Sequence, residues 1–462
     1  MKMISPVAVL RRRFAIRQAV KSHPQGQTIL HSKRLAVFTS CLSLLLVPGL
    51  PPARADGLRA GAAKVDITPQ QPVRLAGYQS RTNLSQGVHD PLSARAVVFE
   101  QNGQRLALVS TDNLGFYNGT AEPLRKAILE GCQLQPSELF LCAIHTHSAP
   151  TLTLDAEKGH RNNVEYTKKL QGQLVEVVRT ALERLAPVQV GVGVGASPVG
   201  VNRRQVVTDQ AGKSKVILGR NPSVTTDREV QVLKLARAER TDLAAVLFAY
   251  ATHSTSLGQR NYIVSGDIHG LAEQFLEKYL GAGVVAPGFA GASGDVNPWF
   301  CILPGFNATN GWIPEPVLLG TMLGEEVAQV LNRIQKPATS GPIKTAIKTL
   351  QLPRKKTTDE EAGAAESPAS FVVTVGCVGD IAFVGLGGEV FNEIGKAIKT
   401  ASPFPHTFIF THCNGAAGYI PTSPSYPEGG YEVQSSAFAA GTDERLAEEA
   451  GRMLKELRSA KN

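Results

Sequence analysis

The sequence is poor in the features that mark several common protein classes. Only six of its 462 residues are cysteines, and no C-x-x-C pair occurs among them. The five cysteines beyond residue 55 are an odd and widely spaced set, which is not typical of a disulfide framework or of a cysteine metal site. Cys132 and Cys142 are the one pair that we consider for an oxidising compartment. An HExxH motif is also absent, which excludes the commonest zinc peptidases and leaves that class a weak alternative.

Acidic residues are missing from the first 55 positions, which carry nine Lys or Arg. This basic segment encloses the apolar run Leu35 to Leu50, and Ala53-Arg54-Ala55 follows. The pattern predicts a signal peptide over residues 1–55, with cleavage after Ala55 and export to the periplasm or the medium. A retained membrane anchor is disfavoured, because the run is shorter than the ~20 residues of a membrane helix and contains Pro48.

The remaining chain has no excess charge of either sign. The net charge of +9 belongs to the leader, and 39 basic residues then face 39 acidic ones. Nucleic-acid binding would need a basic face, so we exclude it. Aromatic residues make up only 6% of the sequence, and no membrane-docking stripe stands out. Peripheral contact with a membrane and the oligomeric state are left open.

A linker that would divide the remaining chain is also absent, so residues 56–462 are predicted to form one large domain. Arg354 to Ser370 is its only polar, low-complexity stretch, and we interpret it as a surface loop or insertion. β-Branched runs alternate with amphipathic segments, which indicates an α/β fold with a mixed β-sheet core and flanking helices.

Two hairpins and four helices can be placed within this pattern. Asn102-Gly103 joins Ala94–Glu100 to Arg105–Thr111, and Gly379-Asp380 joins Val372–Val378 to Ile381–Leu386. Apolar residues three and four positions apart predict the helices Val164–Leu185, Ile268–Leu280, Thr321–Ile334 and Asp443–Leu457.

Polar side chains that suit a metal ion follow directly after the predicted strands. Five strands lead in this way into short polar segments, which contain His145 and His147, His253, Asp295 and Asn297, Glu389, and His412 with Tyr419. Because α/β folds place ligands and chemistry at strand ends, convergence of these segments on one rim would build one site.

His145 and His147 are the clearest metal candidates, since a spacing of two on an extended backbone points both rings to the same face. Zinc accepts imidazole and carboxylate ligands and keeps a position for water at catalytic sites. For an isolated His-x-His, a pair of hydrogen-bonded polar residues is an equally weighted alternative. Each of the other three residues, taken by itself, has a purely structural interpretation. His253 could be a hydrogen-bonded core histidine, Glu389 could be a carboxylate favoured at a helix N-terminus, and Tyr419 could be an ordinary half-buried tyrosine.

Taken together, these segments resemble the neutral ceramidase family in matching order from Gly61 onward. Residues 143–150 resemble the family motif ATHTHSGP, 294–298 resemble GDVSP, and 414–422 resemble NxYxxYxTT. The Gly388-Glu389 pair is similar to the Gly-Glu before a family helix. Residues 64–69, 77–78 and 87–95 also fit the opening of the family sequence.

The resemblance implies a fold and a set of roles. His145, His253, Glu389 and Tyr419 would bind Zn²⁺, and His147 would lie beside the metal. Arg203, in a segment similar to Asn-Arg-Ser of the family, would face the carbonyl group of the substrate, or else be a surface loop arginine.

Two departures from the family pattern bear on function. Asn297 replaces the serine of GDVSP, and asparagine is no nucleophile, although it can donate a hydrogen bond to an oxyanion. The immunoglobulin-like domain that follows the catalytic domain in the family is also expected to be absent.

The first functional hypothesis is a zinc amidohydrolase that uses a metal-activated water, with a small-molecule or lipid N-acyl amide as its substrate. His147 would carry the proton to the leaving amine, and Arg203, Tyr419 or Asn297 would stabilise the carbonyl oxygen. Ceramide, other N-acyl compounds and esters are the candidate substrates. The rival hypothesis is an exported binding protein that has kept the fold and lost turnover.

Overall fold

The computed structural model describes residues 57–238, 242–281, 283–299, 314–335, 341–355 and 368–460. The predicted signal peptide, Cys301 and most of the predicted insertion lie outside these residues. The helices are α1 Ala121–Cys132, α2 Arg161–Glu183, α3 Asp267–Leu280, α4 Pro314–Arg333, α5 Asn392–Ala401, α6 Ser425–Glu428, α7 Tyr431–Ser435 and α8 Thr442–Ser459.

The strands alternate with these helices along the chain. They are β1 Arg59–Asp66, β2 Gly87–Val88, β3 Ser93–Gln101, β4 Gln104–Thr111, β5 Leu139–Ala143, β6 Ala186–Ala196, β7 Gly200–Asn202, β8 Arg204–Thr208, β9 Ser214–Leu218, β10 Glu229–Arg237, β11 Leu243–Tyr250, β12 Ile263–Val264, β13 Gly288–Ala290, β14 Val296–Pro298, β15 Ile343–Leu352, β16 Ala369–Val378, β17 Ile381–Leu386, β18 Glu389–Val390, β19 His406–Phe410 and β20 Tyr419–Ile420.

Two mixed sheets form the centre of the described chain. The larger has eight strands in the order β13-β11-β10-β6-β1-β3-β4-β5, and the smaller has the order β15-β16-β17-β19. Both sheets are largely antiparallel and take parallel strands at their edges, where β5, β13 and β19 pair. The predicted mixed-sheet core with flanking helices is therefore confirmed, and it is divided between two sheets.

The layers can be read from which side chains share a core. Val97 and Phe99 of β3 pack with Phe383 and Phe408 of the smaller sheet, so this core lies between the two sheets. Val98, between them in sequence, points to the opposite face and packs against α1 and α2. Because both faces of β3 are covered, its central run Ala96–Phe99 is continuously apolar rather than alternating. Helices α3 and α4 cover the other half of the larger sheet, and α5 and α8 cover the smaller sheet.

Both predicted hairpins are present, with turns at Asn102-Gly103 and Gly379-Asp380. The four predicted helices correspond to α2, α3, α4 and α8 and differ chiefly at their ends. Helix α4 begins at Pro314, seven residues before the predicted start at Thr321. Proline suits the first turn of a helix, where its missing N–H removes no helical hydrogen bond.

The cysteine pair that the sequence suggested is not formed. Cys132 packs with α1 and α2 on one face of the larger sheet, whereas Cys142 lies in the core on the opposite face. Cys142 instead faces Cys413 across an isolated antiparallel bridge, and both thiols are free. Among the described residues, no helix is long and apolar enough to cross a lipid bilayer.

Candidate metal centre and active site

His145 follows β5, and a hydrogen bond at one ring nitrogen leaves the other available to bind a metal ion. Its backbone turns sharply at a φ of 61°, which is uncommon for a residue other than glycine. Its Nδ1 lies 2.7 Å from the Leu114 carbonyl oxygen, so Nδ1–H donates and Nε2 keeps its lone pair. A metal-binding histidine typically donates its other N–H in this way.

His253 repeats this arrangement after β11. Its Nδ1 lies 2.8 Å from the carbonyl oxygen of Ser293 and 3.1 Å from that of Val296. The side chain is buried, and its Nε2 lies 3.5 Å from Oε2 of Glu389. Two histidines from different strands of the larger sheet therefore present Nε2 lone pairs to one carboxylate.

Glu389 comes from the smaller sheet and uses its two oxygens differently. Oε1 accepts a 2.7 Å hydrogen bond from the Tyr117 hydroxyl. Oε2 lies 3.3 Å from Nε2 of His145, and it is buried without a hydrogen-bond partner. Leaving such an oxygen unpaired is costly, and an ion between these three atoms would satisfy it.

The charge states also suit a cation. Burial alone would raise the pKa of Glu389, but His145 and His253 outweigh it and hold this pKa well below its usual value. Burial, Arg203 and His145 together lower the pKa of His253 to about 3. The site thus contains an ionised carboxylate beside a neutral imidazole, which is the state in which both groups bind metals.

His147 lies at the open side of this group. Its Nε2 is 3.3 Å from Nε2 of His145, and its ring lies 4.8 Å from that of Tyr78. Burial, followed by the neighbouring histidines, lowers its pKa well below the usual value. His145, His147 and His253 could hold a metal ion, since their ligand atoms all lie within 4.8 Å of one another.

Tyr419 is placed beside Glu389 by backbone pairing. The short parallel strands β18 and β20 bring Glu389 directly opposite Tyr419. Burial and then the Glu389 charge raise the pKa of Tyr419 well above its usual value, which Arg203 partly offsets. The structure thus brings together all four predicted metal residues, although their binding of an ion stays a prediction.

Arg203 and Asn297 lie behind this centre. Arg203 Nε donates to Glu432 at 2.7 Å, and its Nη1 lies 3.2 Å from Oδ1 of Asn297. Nη1 also lies 3.1 Å from Nε2 of His253. Burial opposes the charged form of Arg203, but Tyr419 and Glu432 outweigh it and raise its pKa. Arg203 is therefore a buried cation and not the surface arginine of the alternative interpretation.

A cavity of about 420 Å³ opens onto the centre. Its described lining includes four predicted site residues, two further tyrosines, and a loop from the start of the domain. The lining residues are Arg74, Leu75, Ala76, Gly77, Tyr78, Gln79, Arg81, Leu114, Gly115, Tyr117, Asn118, His145, His147, Thr151, Leu152, Glu389, Tyr419 and Tyr431. Arg203 and Asn297 are not among these described lining residues.

Sequence reasoning missed three site residues. Tyr117 donates to Glu389, Tyr431 packs against Tyr419 with ring centroids 5.7 Å apart, and His412 stacks on His145 at 3.9 Å. His412 was noted at a strand end without a role. The tyrosines carry no local signal, because Tyr117 reaches the site from a turn and Tyr431 from the first position of the short helix α7.

The chain matches a known family over much of its length. The profile described as "Neutral/alkaline non-lysosomal ceramidase, N-terminal" matches residues 58–301. This region contains His145, His147, Arg203, His253 and Asn297, whereas Glu389 and Tyr419 lie beyond it. In the folded chain, Glu389 and Tyr419 lie next to the histidines of the matched region.

The chain is also similar in sequence to individual neutral ceramidases. The neutral ceramidase of Pseudomonas aeruginosa is 28% identical over 284 residues, which cover 58% of this chain and 41% of that protein. The neutral ceramidase of Mycobacterium tuberculosis is 27% identical over 263 residues, which cover 52% of this chain and 39% of that protein. The chain thus spans about two fifths of the length of these relatives.

A solved structure shares the fold. The crystal structure of neutral ceramidase from Pseudomonas aeruginosa aligns with a TM-score of 0.71 and 19% identity, covering 87% of this chain and 74% of that one. A structure described as "Ceramidase complexed with C2" aligns equally well. The layered arrangement of the two sheets is therefore a known architecture.

Proposed function

Because this chain belongs to the neutral/alkaline non-lysosomal ceramidase family, we propose that it is an exported zinc-dependent hydrolase that cleaves the amide bond of an N-acylated substrate. The observation that carries the proposal is the unpaired, buried Oε2 of Glu389, which lies 3.3 Å and 3.5 Å from the Nε2 atoms of His145 and His253. Export rests on the leader sequence of residues 1–55.

The ligand set proposed for zinc is His145, His253, Glu389 and Tyr419. Two imidazole nitrogens and a carboxylate oxygen are ligands that zinc accepts in catalytic sites. When bound, zinc acts as a Lewis acid and lowers the pKa of a water molecule to about 7.

His147 is the proposed proton carrier. Its ring is neutral because burial and the other histidines lower its pKa, so its Nε2 can accept a proton. It lines the cavity beside His145, where it can pass that proton to the nitrogen of the leaving amine. The proton comes from the water molecule whose oxygen adds to the carbonyl carbon. The C–N bond then breaks, and a carboxylate and an amine are released.

Tyr419 is the proposed donor to the carbonyl oxygen of the substrate, because it lines the cavity. Arg203 does not line the cavity, but its guanidinium lies over the Tyr419 ring at 5.4 Å, and its Nη2 is buried without a hydrogen-bond partner. Its positive charge is proposed to stabilise the developing negative charge from behind Tyr419. Asn297 accepts from Arg203 and orients that guanidinium in this scheme.

The experiment uses the protein without its leader, loaded with zinc. We expect it to hydrolyse at least one of a fluorogenic ceramide and a panel of shorter N-acyl amides, and to lose this activity with a chelator. His145→Ala removes a ligand and should abolish both zinc binding and turnover. His406→Ala is the matched control, because His406 lies at the start of β19 and outside the cavity.

A binding protein of this fold is the second candidate, and Asn297 is the observation that favours it. An asparagine amide cannot act as a nucleophile, and this one is already engaged by Arg203. Zinc bound at one equivalent together with silence across the whole substrate panel would favour this candidate over the hydrolase.

A further inference from the structure

Two arginines lie at the mouth of the cavity on one loop. We call residues 74–84 the mouth loop, whose ends meet in an antiparallel bridge between Arg74 and Leu84. Arg74 and Arg81 both line the cavity, the first exposed and the second 5% exposed. Arg74 forms no ion pair with any described residue. The loop therefore adds two positive charges to the entrance.

Arg81 is a buried cation without a counter-ion among the described residues. Its guanidinium donates to three backbone oxygens, those of Asn261, Ala76 and His147, and none of these carries a charge. Its Nε is buried without a hydrogen-bond partner. The guanidinium lies over the Tyr78 ring at 4.8 Å, a cation–π contact that offsets part of the cost of burial but brings no negative charge. A buried and unpaired charge costs several kcal/mol, whereas an anion beside it would offset that cost.

A structural role explains only part of this arrangement. The three carbonyl contacts fix where the guanidinium lies, but a neutral donor would satisfy the same oxygens without the cost of burying a charge. Within the part of the chain that the structure describes, no carboxylate pairs with Arg81, so its positive charge is available to an anionic ligand in the cavity.

The mouth loop packs against His147. Arg81 donates to the His147 carbonyl oxygen, and the loop residue Gly77 lies so close that a Cβ there would come 2.3 Å from Nδ1 of His147. In the proposed function His147 faces the leaving amine. The two arginines therefore lie on the amine side of the scissile bond.

We propose that the substrate carries an anionic group, a carboxylate or a phosphate, on its amine half. Arg81 and Arg74 bind this group beside His147. This inference rests on the proposed function. Glu389 does not oppose this binding, because the metal neutralises it. The substrate is then an acidic N-acyl compound, such as an N-acyl amino acid or an N-acyl amine with a phosphorylated headgroup.

Calorimetry with matched ligands tests the inference without any need for turnover. N-octanoylglycine is compared with N-octanoylglycinamide, and N-octanoylethanolamine phosphate with N-octanoylethanolamine. Zinc itself attracts anions, so the titrations use both the metal-free and the zinc-loaded protein. We expect the zinc-loaded wild type to bind at least one anionic ligand about tenfold more tightly than its neutral match, and the metal-free wild type to show a smaller ratio, because Glu389 is then ionised and uncompensated. The pair with the larger ratio identifies the group.

Variants separate the arginines from other sources of attraction. Arg74→Gln and Arg81→Gln should each reduce the ratio several-fold, whereas Arg74→Lys should largely keep it. Arg161→Gln is the matched control, since Arg161 is an exposed arginine that pairs with Glu165 outside the cavity. If Arg81→Gln does not fold, Arg74→Gln decides the outcome.

Two results would overturn the inference. One is equal binding of charged and neutral ligands by the zinc-loaded wild type, and the other is a ratio that the Arg74 and Arg81 variants leave unchanged. Failure of the proposed function is a different result, because the anionic preference would then persist while none of the amides is cleaved.

Discussion

At the scale of single residues, the centre depends on atoms that are held by partners outside it. The Leu114 carbonyl orients His145, the Ser293 carbonyl orients His253, and the Tyr117 hydroxyl orients Glu389. Such contacts fix which atom of each proposed ligand would face a bound ion. They also define variants that perturb the site without removing a ligand.

Tyr117→Phe removes only the hydroxyl that donates a hydrogen bond to Oε1 of Glu389. We expect zinc to bind roughly 10–100-fold more weakly, which is the usual cost of losing such a partner, with little change in far-UV circular dichroism. Competition with a chromophoric chelator measures the affinity. Tyr166→Phe is a control, since Tyr166 is buried in another part of the core. An unchanged affinity in Tyr117→Phe would show that the hydroxyl does not position the carboxylate.

His269 predicts a pH dependence of stability. Its Nδ1 lies 2.8 Å from the Ser254 hydroxyl and its Nε2 lies 3.1 Å from the Tyr250 carbonyl oxygen, so the buried ring is neutral. Burial lowers its pKa from 6.5 to about 4. Between these values the unfolded chain binds a proton that the folded chain does not, and stability falls as the pH falls.

His269→Gln should remove this contribution. Between pH 7 and pH 5, the unfolding free energy of the metal-free wild type should fall by about 2 kcal/mol more than that of the variant. Urea unfolding at both pH values measures the difference. Parallel losses in the two proteins would mean that His269 is protonated in the folded state.

The proposed metal ligands could largely be predicted from the sequence, whereas the residues that contact and orient them could not. His145, His253, Glu389 and Tyr419 follow strands and match motifs, so their sequence positions carry a signal. Tyr117 and His412 act through contacts with residues far away in the chain, and Tyr431 reaches Tyr419 from the start of α7. The burial of Arg203 could not be predicted from the sequence either, because its ion-pair partner Glu432 is 229 residues away in the chain.

At the scale of elements, two short strands matter more for the site than the long ones. β18 and β20 contain two residues each, and their register alone sets Glu389 opposite Tyr419. Two-residue strands have no hydrophobic period, which is why sequence patterns predicted the two long hairpins and not this pair.

Gly388→Ala tests this element. A Cβ at Gly388 would come 2.6 Å from the Gly418 carbonyl oxygen, so the β18–β20 pair would have to separate. We expect loss of zinc affinity together with a lower unfolding midpoint. Both are measured on one preparation, by metal titration and by thermal unfolding.

Gly172→Ala is the matched glycine control. Gly172 lies within α2, and a Cβ there meets nothing within 4 Å. Alanine is favoured over glycine in a helix, so this variant should gain about 0.5–1 kcal/mol and bind zinc normally. Normal zinc binding by Gly388→Ala would contradict the proposed dependence on the β18–β20 register.

At the scale of the whole molecule, the proposed ligands divide evenly between the two sheets. His145 and His253 follow β5 and β11 of the larger sheet, whereas Glu389 and Tyr419 follow β17 and β19 of the smaller one. The composition and the long strands predicted the α/β class. The division into two packed sheets was not predictable, because β-strand patterns do not state which sheet a strand joins.

Metal removal should therefore affect the stability of the whole chain. With free zinc at a thousand times its Kd, bound zinc contributes about 4 kcal/mol, so a chelator should lower the unfolding midpoint by several degrees. Differential scanning fluorimetry with and without chelator measures the shift. His145→Ala protein should show no such shift, and equal midpoints for the wild type would contradict a metal held between the sheets.

The division of the ligands has a consequence for the order of events during biosynthesis. With the proposed ligands, a chain in which only one sheet has formed would present two of the four groups and would not retain the ion. The proposed hydrolysis would then begin only after both sheets have docked.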